Sequence, residues 1–169
     1  MNVLETERLQ LRRLIVDDAP FILELLNDPA WLRFIGDRGV RTVDGAGKYI
    51  LNGPVAMYEQ LGFGLYLTER KSDRVPLGIC GLIKRDGLAD VDIGFAFLPQ
   101  FRRGGYATEA AMATMEYGRR AFGLKRIVGI TSPDNDSSIR LLEKIGLRYE
   151  RLVQLPKADA ESMLFAWDA

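Results

Sequence analysis

The stretch QFRRGGYATEA, Gln100–Ala110, decides how this chain folds and what it can bind. It follows an apolar segment that closes on Pro99, sets two arginines and two glycines in succession, and then opens a run of helix formers. A helix start leaves about four main-chain N–H groups without partners, and the helix dipole places partial positive charge there. Gly104 and Gly105 keep side chains out of that opening, while Arg102 and Arg103 add charge beside it. The segment reads as a strand–turn–helix whose turn can cradle a pyrophosphate. A plain glycine-rich connection with solvated arginines is the alternative that the local pattern leaves standing. Neither G-x-x-x-x-G-K-S/T nor G-x-G-x-x-G followed by an acidic residue occurs in the chain.

Working outward, VDIGFAFLP supplies the strand before the turn, from about Asp90 to Leu98. Ala107, Ala111, Met115 and Phe122 recur at helical spacing after it, and Gly123 ends that helix. RIVGITS reads as a buried strand, and NDSSIRLLEKIG as a short helix capped by Asn135 or Asp136 and ended at Gly146. Towards the N-terminus, GFGLYLTE and VPLGICGLIKR are strands flanking the turn RKSD. ERLQLRRL alternates apolar and polar residues as a strand, and VDDAPFILELLNDP reads as a helix with Asp17 as N-cap. Residues 30–61 read as short helices, with Gly53-Pro54 as the clearest break. Two last strands lie near LRYERLVQ and ESMLFAW. The pattern is α/β, and 169 residues suggest a single domain, 1–169.

Composition narrows the function. Lys plus Arg and Asp plus Glu both number 23, so net charge argues for no nucleic-acid and no membrane partner. No apolar run approaches the roughly 18 residues of a membrane span, and the start lacks a signal-peptide core. The single cysteine, Cys80, allows no internal disulfide and suits the cytoplasm, where we expect the protein to reside. Cys80 lies among small and apolar residues and reads as core. The chain has no histidine. That excludes Ser-His-Asp and Cys-His catalysis and removes the commonest zinc ligand, so no metal is expected. Chemistry must come from carboxylates, hydroxyls, main-chain groups, or a cofactor that brings its own reactive group.

RRGGYA fits the Q/R-x-x-G-x-G/A signature of the GNAT acetyltransferases through Arg102, Gly105 and Ala107. TERLQLRRLIVDDAPFILELLNDP resembles the opening strand and helix of the RimJ/RimL-type ribosomal-protein N-terminal acetyltransferases. PLGICGL, VDIGFAFLP, GGYATEA and NDSSIRLLEKIGL resemble successive motifs of that subfamily in the same order. The resemblance covers most of the chain, least distinctively at about 30–60. It implies a mixed, mostly antiparallel twisted sheet of about seven strands flanked by helices, with a splayed cleft for acetyl-CoA. It also implies that main-chain groups near Phe97 and Leu98 bond the pantetheine arm, and that a main-chain N–H there polarises the thioester carbonyl. The pyrophosphate would fall to the loop Arg102, Arg103, Gly104, Gly105, Tyr106, Ala107 and Thr108, and the pantetheine to Asn135 as well. Many members carry glycine where Arg103 stands; here Gly104 fills the next spacer.

The resemblance further implies acetyl transfer to a primary amine by direct attack, which needs no enzyme nucleophile. Many members protonate the leaving thiolate with a tyrosine seven residues after the asparagine, and this chain has Leu142 there. Ser138 faces the site in the related motif and becomes the candidate acid, with helix capping as its alternative reading. Tyr106, Tyr117 and Tyr149 are further donors that spacing does not rank. Asp92 is the candidate base, a carboxylate within an otherwise alternating apolar strand, or else a solvent-facing strand residue. Asp90 and Glu109 are secondary candidates. Near pH 7.4 roughly a quarter of an α-amine is neutral, against about one part in a thousand for lysine. A site without histidine therefore favours an α-amine, either a protein N-terminus or a small molecule. The family resemblance is compatible with a homodimer. The competing class is a non-catalytic acyl-CoA-binding module that has lost its acid.

Overall fold

Leu9 and Leu11 are both fully buried and alternate with more polar neighbours, so Leu9–Arg13 forms a strand with one face in the core. In the computed structural model, which describes residues 2–169, this strand is β2, and a short strand β1 (Asn2–Glu5) precedes it. A tight turn (Val16–Asp18) leads into α1 (Ala19–Leu26), α2 (Pro29–Phe34), α3 (Val43–Ile50) and α4 (Ala56–Leu61). Then come β3 (Leu65–Arg70), β4 (Pro76–Ile83), β5 (Asp92–Phe97) and α5 (Tyr106–Phe122). β6 (Arg126–Thr131), α6 (Asp136–Lys144), β7 (Arg148–Val153) and β8 (Ser162–Asp168) complete the chain.

The eight strands form one sheet in the order β1-β2-β3-β4-β5-β6-β8-β7, antiparallel throughout except between β5 and β6. The strand beyond the expected seven or so is β1, whose four residues are at most half-buried and leave little alternation to read. One core cluster joins α5 and α6 to the sheet through Ala110, Ala111, Met115 and Leu142. A second joins α1 and α3 through Ile22, Leu25, Ala46 and Ile50. The sheet is thus flanked by helices.

Two local readings are corrected. Asp18, not Asp17, organises the start of α1: its carboxylate accepts from the Ile15 N–H at 2.9 Å and grips Arg12. Gly53-Pro54 does not break the helix. A wide π-type turn (Leu51–Val55) carries α3 into α4, and its longer repeat accommodates the N–H that Pro54 lacks.

The parallel pair matters most. β5 and β6 share one register pair, Asp92 with Val128, fixed by Val128 N–H donating to Val91 O at 3.0 Å. Beyond it they part, and the helix that opens at Gly105 begins beside the open end.

Candidate active site

Main-chain parity shows which groups face the gap. Leu98 N–H donates to Leu77 O at 3.0 Å, so alternate residues along β5 turn their N–H and C=O groups towards β4. Phe95 and Phe97 point the other way, as does Val91, whose carbonyl receives Val128. On β6 the same alternation turns Val128 and then Ile130 towards β5. Past Val128 these groups have no facing strand. Of the two positions anticipated, Phe97 borders the gap, whereas the Leu98 N–H is already committed to β4. Phe95 was missed, although strand alternation was enough to find it.

At the mouth, Gly105 is the N-cap of α5 with φ +79°, a left-handed conformation that disfavours other residues. The first main-chain bond into the helix is Glu109 N–H to Gly105 O, so the N–H groups of Tyr106, Ala107 and Thr108 have no helical carbonyl. Gly104 lies against the Tyr106 ring. The two arginines differ. Arg102, though exposed, bonds Phe97 O at 3.0 Å and the buried Asp28 at 2.5 Å, so its charge is paired and it braces the loop to β5 and to the start of α2. It is not the free phosphate-facing charge that the sequence suggested. Arg103 is exposed. A cation that the sequence reading did not find stands behind the loop: the Arg8 guanidinium lies 4.3 Å from the Tyr106 ring centroid and is held by Glu109 at 2.8 Å. Burial pushes the Glu109 carboxyl up, but bonds from Thr6 and Arg8 outweigh it and leave its pKa lowered. Glu109 is a clamp on the turn between β1 and β2, unsuited to be a base.

Asn135 caps α6: its Oδ1 accepts from Ser138 N–H at 3.3 Å, and its amide nitrogen has no acceptor among the described residues. It can cap and still donate to a ligand. Ser138 is half-buried in the first turn of the same helix. Leu142 is buried, and a Cβ on Gly129 would come within 2.7 Å of it, so the missing tyrosine's position is packed as core against β6. The other tyrosines are elsewhere. Tyr117 stacks edge-on with Tyr66 and Phe122, Tyr149 sits on the outer strand β7 against Phe165, and Tyr106 lies under Arg8. Cys80 is fully buried and burial pushes its thiol up to about 12, as suits core.

Asp92 is fully buried at the closed end of the gap, and is therefore no solvent-facing strand residue. Arg85 Nε donates to its Oδ2 at 2.8 Å, while Oδ1 has no partner. Burial raises its pKa to about 6, against the pull of Arg85. Asp90 instead joins Arg126 at 3.0 Å in a cluster with Glu150 and Asp168.

A cleft that opens from one shared rung, with strand edges along it and a helix N-terminus at its mouth, is the frame of an acyl-CoA-dependent transferase. A family profile for the acetyltransferase (GNAT) domain matches residues 8–148. The chain belongs to the GNAT acetyltransferase family and is an acetyl-CoA-dependent N-acetyltransferase. It is 29% identical over 154 residues to the uncharacterized N-acetyltransferase YoaA of Bacillus subtilis (strain 168), covering 90% of this chain and 86% of the relative. With YnaD of the same organism, also named an uncharacterized N-acetyltransferase, identity is 30% over 86% of this chain and 82% of the relative. An acetyltransferase from Agrobacterium tumefaciens superposes with a TM-score of 0.83 at 22% identity, covering 100% of this chain and 95% of that one. RimL, the ribosomal L7/L12 alpha-N-protein acetyltransferase in complex with coenzyme A, shares the fold with a TM-score of 0.83 at 16% identity, over 99% and 98% of the chains. Among the described residues no helix is long and apolar enough to cross a membrane.

Proposed function

We propose that this protein acetylates an α-amine by direct attack, with acetyl-CoA held along the gap between β5 and β6. The observation that carries this reading is the parting of the two strands after a single rung, which leaves the main-chain groups of Phe95 and Ile130 and the Phe97 N–H without a facing strand, the Phe97 carbonyl being taken by Arg102. Unpaired strand edges of this kind suit an amide-bearing arm such as pantetheine. The N–H groups of Gly105, Tyr106, Ala107 and Thr108 suit the pyrophosphate, with Arg103 and Gly104 beside them. When bound, acetyl-CoA supplies the activated thioester. The Phe95 or Phe97 N–H polarises its carbonyl and stabilises the oxyanion. The Asn135 amide donates to the arm. Ser138 protonates the departing thiolate, and Asp92 takes the amine's proton through its unpartnered Oδ1, directly or through water. A carboxylate with pKa near 6 is ionised at neutral pH and basic enough for an α-amine that is partly neutral already.

The acceptor is a protein N-terminus or a small-molecule amine. The fold shared with RimL supports the first. The chain as a whole acts as one domain. Calorimetric titration tests the cofactor site. Wild type is expected to bind acetyl-CoA with micromolar affinity, and Gly105→Glu to abolish binding by placing a carboxylate and a strained Cβ at the loop. Undiminished binding by the variant would move the cofactor elsewhere.

A further inference from the structure

Arginine–carboxylate pairs that brace this fold are two-pronged. Arg12 donates to both oxygens of Asp18 at 2.9 and 2.8 Å, Arg70 to both of Asp73 at 3.1 and 2.7 Å, and Arg126 to both of Asp168 at 3.2 and 3.1 Å. The pair at the closed end of the gap differs. Arg85 gives Asp92 a single bond, Nε to Oδ2 at 2.8 Å, and Oδ1 has no partner. Asp92 is fully buried and Arg85 half-buried. A buried carboxylate oxygen without a donor is costly, and a guanidinium already in contact could cover it by presenting its fork. A pair serving stability alone would fill both oxygens.

The connection that carries Arg85, between β4 and β5, is pinned. Leu88 N–H donates to Arg85 O at 3.4 Å, and the Lys84 ammonium bonds the carbonyls of Arg85 and Leu88. Leu88 is buried in one cluster with Val128, Val153 and Leu164. Gly87, with φ +90°, comes so near Pro156 that a Cβ there would meet its ring at 2.6 Å, so the connection between β7 and β8 packs on this one. Arg85 therefore reaches Asp92 from a fixed main chain. In register with Asp92 stand the apolar Ile83 of β4 and Val128 of β6. Nearby Asp90 is neutralised by Arg126. Arg85, and more weakly Lys84, bring positive charge to Asp92 against the effect of burial.

Resting on the reading of Asp92 as the base, we propose that Arg85 is a positioning residue for acetyl transfer, holding Oδ2 so that Oδ1 is the one oxygen left to receive the amine's proton. It acts through Asp92 and makes no bond in the reaction. Its two contributions are separable. Its charge keeps the carboxylate ionised, which any cation at that place would do. Its Nε fixes the orientation of the carboxylate, which needs the guanidinium.

The test is the pH dependence of steady-state transfer by the full chain, with acetyl-CoA and dipeptide amides beginning with alanine, serine, threonine or methionine as acceptors. Removing the cation favours the protonated acid. Arg85→Gln should therefore move the acidic limb of kcat/KM upward by about one pH unit or more, from its wild-type place near pH 6. On the alkaline plateau its kcat should fall about tenfold or more, while calorimetric affinity for acetyl-CoA persists and shows that the variant is folded. Arg85→Lys restores the charge without the Nε, so its limb should return towards wild type while the loss of kcat remains. An Arg85→Gln limb at the wild-type pH overturns the proposal, as does a limb that moves with no loss of kcat on the plateau. If Arg85→Gln fails to bind acetyl-CoA, Arg85→Lys carries the test, and a plateau kcat equal to wild type overturns the proposal. Two results fall on the underlying reading instead: an Asp92→Asn variant that keeps the acidic limb, and a wild type that binds acetyl-CoA yet acetylates none of these amides. Either removes the base and its positioning residue together.

Discussion

Asp92 shows how far a single residue can be read from a sequence. Its place in an apolar strand marks it as unusual, but not whether it faces water or core. The fold buries it and turns Arg85 back across the β4–β5 connection to meet it. Burial raises its pKa to about 6, whereas an unfolded aspartate titrates near 3.9. Between about pH 4 and pH 6 the folded chain keeps a proton that the unfolded chain has released. The group's contribution to stability therefore falls as pH rises through that window, by about 3 kcal/mol at most, and is flat above it. Carboxylates with lowered pKa, such as Glu109, act in the opposite sense at lower pH. The expected outcome is a stability difference between wild type and Asp92→Asn that changes across this window, followed by denaturant midpoints at several pH values. A constant difference would mean that Asp92 is ionised throughout. In acetyl transfer, kcat/KM should rise through about pH 6 in wild type, and Asp92→Asn should lose that limb.

At the scale of elements, helix ends were the most legible feature. Gly123 and Gly146 both have positive φ at the ends of α5 and α6, and Asn135 caps α6, because these boundaries depend on a few adjacent residues. What α6 does beyond its cap depends on its neighbours. Leu142 packs on Gly129, so no hydroxyl stands there, and Ser138 is left as the donor in the first turn. Asn135 has two duties that can be separated. Asn135→Asp keeps an oxygen for the Ser138 N–H but loses the amide donor and adds negative charge. Its melting temperature should stay close to wild type while acetyl-CoA binding weakens about tenfold, read by thermal denaturation beside calorimetry. Asn135→Ala should lose about 1 kcal/mol of stability as well. Equal acetyl-CoA affinity in wild type and Asn135→Asp would leave the side chain as a cap alone.

At the scale of the whole molecule, the gap between β5 and β6 makes a prediction about exchange. The amides of Phe95, Phe97 and Ile130 face no strand, whereas Ala96 and Leu98 face β4 and Val128 donates to Val91. In the free protein the first three should exchange with solvent much faster than the second three, and saturating acetyl-CoA should slow them selectively, measured by amide-resolved hydrogen exchange. Slow exchange at Phe95 and Phe97 without ligand would contradict the open edge. The sequence by itself determined the order of the strands from β2 onward and of the main helices, the glycine turn at a helix start, the absence of histidine chemistry and the likeness to the GNAT family. Each rests on periodicity, on residues within one turn of each other, on composition, or on short motifs met in order along the chain. Only the tertiary structure decided that β5 and β6 part after one rung, that Arg102 is spent on Asp28, that Arg8 backs the loop, and that Arg85 meets the buried Asp92. Most of those facts join segments far apart in the chain. Local propensity carries no record of such contacts, which exist only once the sheet is assembled and its helices are packed on it.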